Sequence, residues 1–226
     1  MFIFTIILGM LPSLIWLLFF LKEDNHPEPK KMILKTFLFG AVSVFFALVF
    51  QKFYLKILGD FEFFKYSFVS FLIFALIEEV IKFLAVYLAV YKSDFFDEPV
   101  DAMIYMMTAA MGFAAVENIF AAAGGAEKGI LNLDMVFGIL VLRFIGATLL
   151  HALSSMIIGY YWAKNFTRRI LDIKYQMLFG LMAAVLLHTF FNFLILKYSS
   201  LAIYPIIFLV IAALFIFWDF EKIKTI

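Results

Sequence analysis

The 226-residue chain contains no cysteine. Disulfides, thiolate nucleophiles and thiolate metal ligands are therefore excluded, and thiol usage carries no information about redox compartment. Charge is also scarce. Asp, Glu, Lys and Arg make up 15% of the residues and leave a net charge of +1, against about 25% charged residues in an ordinary soluble domain. No bulk field exists to gather nucleic acid. There are three histidines and no HExxH pattern, so a zincin-type zinc site is absent. A cleavable leader is missing as well: MFIFTIILGMLPSLIWLLFFLKEDN has no basic start and no small-residue cleavage site, and reads as a retained span. Internal repeats and low-complexity linkers do not occur.

What fills the chain is apolar. Two-thirds of the residues are hydrophobic (66%), 32 of them Phe, with mean hydropathy +1.05. Such a composition leaves too little polar surface to face water. It predicts an all-α polytopic membrane protein with a single integral membrane domain, 1–226, and a polar-motif core at about 66–197. Apolar runs of about 20 residues suffice to cross a bilayer. Seven occur, at roughly 2–21, 32–50, 66–91, 100–123, 135–163, 175–196 and 199–217. Helices are expected because only helices and closed barrels satisfy the backbone in lipid, and no alternating strand pattern is present. Pro12 is expected to kink the first span. The 51–65 segment, with Phe53, Leu55, Ile57, Phe61 and Phe63, reads as an amphipathic stretch at the interface. Ten Lys/Arg fall in loops one, three, five and the tail, five on the opposite side and three within spans. The positive-inside rule then places the N-terminus outside and the C-terminus in the cytoplasm.

Against that background the ionisable residues within spans stand out. Glu78, Glu79 and Lys82 form EExxK in span three, Glu117 and Asn118 lie in span four, Arg143, His151 and Ser155 in span five, and His188 and Asn192 in span six. A central Glu, Lys or Arg costs roughly 2.5–3.5 kcal/mol before it finds a partner. Five such charges cost over about 10 kcal/mol, comparable to the net stability of a domain. They persist only if they face one another or a wet cavity, which makes them a functional-site hypothesis. Spacing supports a common face: Glu78/Lys82, His151/Ser155 and His188/Asn192 are each i,i+4, and Glu79/Lys82 is i,i+3. The blander alternatives are a structural Glu–Lys pair, an interhelical hydrogen bond at Glu117 and packing histidines. Water attack on an amide needs a base, an oxyanion donor and a donor to the leaving nitrogen, and carboxylates, imidazoles and an amide supply all three. A zinc site from scattered Glu and His stays open, and Ser154 and Ser155 beside His151 keep acyl-enzyme chemistry in view.

The stretches EEVIK (78–82), GFAAVENIF (112–120), RFIGATLLHALSS (143–155) and HTFFN (188–192) resemble the PrsW family of intramembrane proteases, in the wider superfamily of CAAX prenyl proteases and bacteriocin-processing enzymes. They fall in family order and together span about half the chain. The resemblance implies an endopeptidase of the bacterial cytoplasmic (inner) membrane that cuts a membrane-anchored protein or peptide, as in site-one cleavage of anti-sigma factors on the outer side. It implies that Glu78 helps activate water and that His188 and Asn192 hold the oxyanion. Glu117 stands where the CAAX branch has a histidine. Enzymes of this superfamily have been described both as metal-free glutamate proteases and as metalloproteases; with a divalent metal such as zinc, the ligands would come from Glu78, Glu117, His151 and His188. Catalytic candidates are thus Glu78, Glu79, Glu117, His151, His188 and Asn192, supported by Lys82, Arg143, Ser155 and Asn118.

Other readings use the same residues differently. Buried Glu, His and Lys also serve proton- or ion-coupled transporters, although paired broken helices of the transporter kind are missing. His151 and His188 could axially ligate a b-type haem. A non-catalytic membrane scaffold is the plainest reading.

Overall fold

The structure, a computed structural model, describes residues 2–59, 67–127, 133–165, 170–198 and 203–224. All regular structure among these residues is helical: α1 (Phe2–Leu21), α2 (Lys30–Leu58), α3 (Phe68–Val90), α4 (Pro99–Glu127), α5 (Leu133–Arg143), α6 (Leu149–Ala163), α7 (Ile170–Lys197) and α8 (Ile203–Ile223). A π-helical turn, Phe144–Thr148, joins α5 to α6, so the two form one long rod. Six rods (α1, α2, α4, α5–α6, α7 and α8) are long and apolar enough to cross a membrane. The seventh, α3, has the length, with 23 residues, and departs in composition because it carries Glu78, Glu79 and Lys82. The expected seven-span helical bundle is what forms.

One boundary differs. The second span continues past residue 50 to Leu58, so 51–58 extend a membrane helix and do not form a separate interfacial segment. No helix breaker occurs before Gly59, whose φ of 57° ends α2 in a backbone region that favours glycine. Residues 60–65 of the expected interfacial stretch lie outside the described residues. Pro12 lies inside α1 and does not end it.

The α4 helix is the hub. From Val100 to Ala115 every residue is buried, and α4 packs chiefly on α6, α2 and α1. Close approach explains how small residues hold this core. A Cβ added at Gly112 in α4 would overlap the Phe37 carbonyl of α2, and one at Gly159 in α6 would overlap the backbone at Ala102 and Met103. The outward faces of α1, α2, α7 and α8 expose Phe4, Leu18, Phe45, Phe46, Val49, Phe179, Leu214 and Phe215 among others, an apolar belt suited to lipid rather than water.

One end of the bundle joins loop 22–29, loop 91–98 and the end of α8. His26 Nδ1 pairs with Glu98 Oε1 at 2.9 Å, and Lys224 Nζ with Glu23 Oε2 at 3.8 Å. The Tyr105 hydroxyl donates to Glu28. Asp101 Oδ2 accepts the backbone N–H groups of Asp97 at 2.9 Å and Glu98 at 2.7 Å, starting α4. Loops one and three and the end of α8 share this face, as alternating crossings require.

A candidate hydrolytic centre

Four rods deliver the ionisable residues to one place, and α3 supplies the first three. Glu79 is fully buried and its carboxylate collects four donors. Lys82 Nζ donates to Oε1 at 2.6 Å, Ser154 Oγ to Oε1 at 2.8 Å, Ser155 Oγ to Oε2 at 3.1 Å, and His188 Nδ1 to Oε1 at 2.9 Å. Lys82, also fully buried, reaches on to His151 Nδ1 at 3.3 Å and lies 5.3 Å from the centroid of the Phe113 ring. A buried charge is tolerable when paired and hydrogen-bonded in this way.

Glu78 is built differently. Its Oε1 accepts from Gln51 Nε2 of α2 at 2.8 Å. Its Oε2 is buried without a hydrogen-bond partner and faces His188 Nε2 at 3.6 Å. With Nδ1–H donated to Glu79, a neutral His188 imidazole would turn an unprotonated Nε2 toward Glu78. A carboxylate behind an imidazole is the usual way to fix a ligating histidine.

From α4, Glu117 accepts from His151 Nε2 at 2.8 Å and from Arg143 Nη2 at 3.1 Å, both on Oε2. Its side chain is 28% exposed, the most open of the three glutamates. Arg143 Nε also donates to Asn118 Oδ1, and Asn118 Nδ2 donates to Thr148 Oγ1 at 3.1 Å. Arg143 ends α5 directly before the π turn, a feature frequent at functional sites. Trp16 Nε1 of α1 takes the Phe144 carbonyl within that turn at 2.9 Å.

The expected residues come together except Asn192, and the geometry shows which of the possible partners each one takes. Lys82 pairs with Glu79 and not with its i,i+4 neighbour Glu78, since Ser154, Ser155 and His188 gather on Glu79 from α6 and α7. Of the four metal bets, Glu78, His151 and His188 bring ligand atoms within 4.8 Å of one another. Glu117 is not in that group and is held by His151 and Arg143. Asn192 is half-buried one turn beyond His188 and takes no part in this network. Spacing missed Gln51, Trp16, Thr148 and Ser13, whose Oγ accepts from Asn118 Nδ2 at 3.5 Å; a lone Gln at the end of an apolar run was the only signal for the first. The haem reading fails: the His151 and His188 rings meet edge to face, centroids 5.1 Å apart at 83°, not on opposite faces of a macrocycle.

A metal fits these residues. Two imidazoles and a carboxylate are a ligand set known for catalytic zinc; His151, whose Nε2 bonds Glu117 and whose Nδ1 takes Lys82, would have to give up one of these bonds to join it. The orphaned Glu78 Oε2 and His188 Nε2, 3.6 Å apart, are spaced close to the ~3.4 Å between two corners of a zinc tetrahedron.

Fold and site together define a polytopic membrane protein with a buried carboxylate–imidazole cluster. The chain matches the family described as PrsW family intramembrane metalloprotease over residues 28–218. Proteins named Protease PrsW are similar to it. The one from Geobacillus kaustophilus is 35% identical over 147 residues, covering 65% of this chain and 59% of that protein. The one from Bacillus subtilis is 31% identical over 204 residues, covering 88% and 84%. The one from Oceanobacillus iheyensis is 27% identical over 198 residues, covering 85% and 83%. No solved structure matches. This chain belongs to the PrsW family of intramembrane metalloproteases.

Proposed function

We propose that Glu78, His151 and His188 form the hydrolytic centre of this protease, and that its substrate is a membrane-anchored protein or peptide. Site-one cleavage of an anti-sigma factor in a bacterial inner membrane, with the C-terminus cytoplasmic, is the use that the PrsW resemblance implies. The observation that carries the centre is the buried, unpartnered Glu78 Oε2 facing His188 Nε2. A divalent ion such as zinc, held by Glu78, His151 and His188, would polarise the scissile carbonyl and acidify water.

The remaining roles follow from the hydrogen bonds. Glu79 is a positioning residue, because its four donors leave it no open face and it fixes His188 through Nδ1. Lys82, Ser154 and Ser155 neutralise and anchor Glu79. Glu78 shifts from the water-activating role to that of ligand. Glu117, partly open and bonded to His151, is then the carboxylate that takes a proton from water and returns it to the leaving nitrogen. Arg143 and Asn118 hold it in place. With His188 Nε2 acting as a lone pair, Asn192 is left as the side-chain donor to the oxyanion. Nothing in the site favours transport.

The test is cleavage of a single-span substrate by purified, reconstituted protein, with zinc content measured in parallel. Glu78→Gln should lose both zinc and cleavage. Glu117→Gln should keep zinc and lose about 10²–10⁴-fold in kcat, the usual worth of a general base. Full activity in either variant would sink the assignment. A chelator should silence the wild type, and added zinc should restore it.

A further inference from the structure

Glu78 stands next to Lys82 on α3 at the i,i+4 spacing that normally makes an ion pair. Yet Lys82 bonds Glu79 and His151 instead, and among the described residues the one hydrogen bond on Glu78 comes from another helix. Gln51 Nε2 donates to Glu78 Oε1 at 2.8 Å across 27 residues of chain. Gln51 lies where α2 passes α3, half-buried, beside lipid-facing Phe50.

We propose that Gln51 is the positioning residue for Glu78. By holding Oε1, it draws the carboxylate away from Lys82 and leaves Oε2 aimed at His188 Nε2. This rests on the reading of Glu78 as a ligand given above. The residue type suits the task. A carboxylate ligand oriented by an outer hydrogen bond keeps its geometry and its charge, because a neutral amide donates without neutralising. A lysine at position 51 would compete for the charge, and an aliphatic side chain would leave Glu78 free to turn toward Lys82. Each of the two adjacent glutamates thus has its own holder: Ser154, Ser155 and Lys82 for Glu79, and Gln51 for Glu78. Adjacent carboxylates on one helix can then take different roles.

Two variants separate positioning from packing. Gln51→Met keeps length and volume without a donor, and Gln51→Asn keeps the amide one methylene short of Glu78. Both are measured as full-length protein by zinc affinity in chelator competition, by kcat and KM on a single-span substrate, and by thermal unfolding in detergent. Zinc affinity should fall about 10–100-fold in each, the usual effect of losing an outer-shell partner. The loss in cleavage should fall on kcat with KM little changed, as for an interaction that serves the transition state. Unfolding midpoints should stay close to wild type. Wild-type kcat and zinc affinity in either variant would overturn the proposal. So would a loss confined to thermal stability. A wild type that takes up no zinc overturns the ligand reading of Glu78, and the kcat comparison then decides Gln51 alone.

Discussion

Glu79 and Lys82 are each fully buried and 2.6 Å apart, so neither can be changed alone without stranding the other. Glu79→Gln leaves Lys82 without its counter-charge in a water-poor core, a change that costs about 3–5 kcal/mol. The same holds in reverse for Lys82→Met. The double variant should be less destabilised than the sum of the two singles, because it removes both charges together. Thermal unfolding of the four proteins in one detergent measures this, and strict additivity would refute a coupled pair. The limit of sequence reading shows at these same residues. EExxK offers Lys82 two partners, Glu79 at i,i+3 and Glu78 at i,i+4, and one helix cannot choose between them. The choice is made by Ser154, Ser155 and His188, which arrive 75, 76 and 109 residues later. The ionisable candidates were legible because charge in lipid is costly wherever it occurs. Gln51 was not, since a neutral amide at a span end costs little and points to nothing by itself.

Among the helices, the π turn between α5 and α6 has the most specific consequence. It inserts extra backbone between Arg143 and His151, the two residues that meet on Glu117 Oε2. Deleting Ile145, whose side chain is 39% exposed, should let the rod return to regular α-helix. One residue of register turns α5 by about 100° relative to α6. Arg143 then leaves Glu117, and Trp16 loses the Phe144 carbonyl. The expected outcome is a folded protein with cleavage largely lost, checked by thermal unfolding beside the substrate assay. Retained wild-type activity would show that the turn does not set the Arg143–Glu117 pair. Span positions were legible in the hydropathy pattern to within a few residues for most helices. The π turn was not, because FIGATLL, residues 144–150, carries no proline or charge that demands it. The second helix was underestimated for a related reason: the polar Gln51 and Lys52 look like a span end, yet nothing in them stops a helix before Gly59.

For the molecule as a whole, pH should act on one face of the bundle. At the face formed by loops 22–29 and 91–98, burial pushes the Glu28 carboxyl up to about 7, with Asp101 and Asp24 adding to the rise against the opposing Tyr105 hydroxyl. His26 is also raised, first by its hydrogen bond to Glu98, and Asp24 is raised by burial. All three bind protons more tightly when folded. Their contribution is therefore present below the unfolded values and is lost as pH rises above them, for Glu28 through about 7. Hydrogen exchange in residues 22–29 and 91–98 should be faster at pH 8 than at pH 6, beyond the intrinsic pH effect, while α4 around Met107 stays protected. Equal protection at both pH values would contradict this. The dispersal of the site over α3, α4, α6 and α7 also has a consequence for biosynthesis. When α3 leaves the ribosome, Glu79 and Lys82 can pair within the helix and Gln51 of α2 is already made, but the partners from α6 and α7 are not. A helix of that composition is a poor candidate to enter lipid by itself. Its insertion has to be deferred, or sheltered by its neighbours, until His151, Ser154, Ser155 and finally His188 follow. A partly synthesised chain therefore holds no complete carboxylate–imidazole cluster.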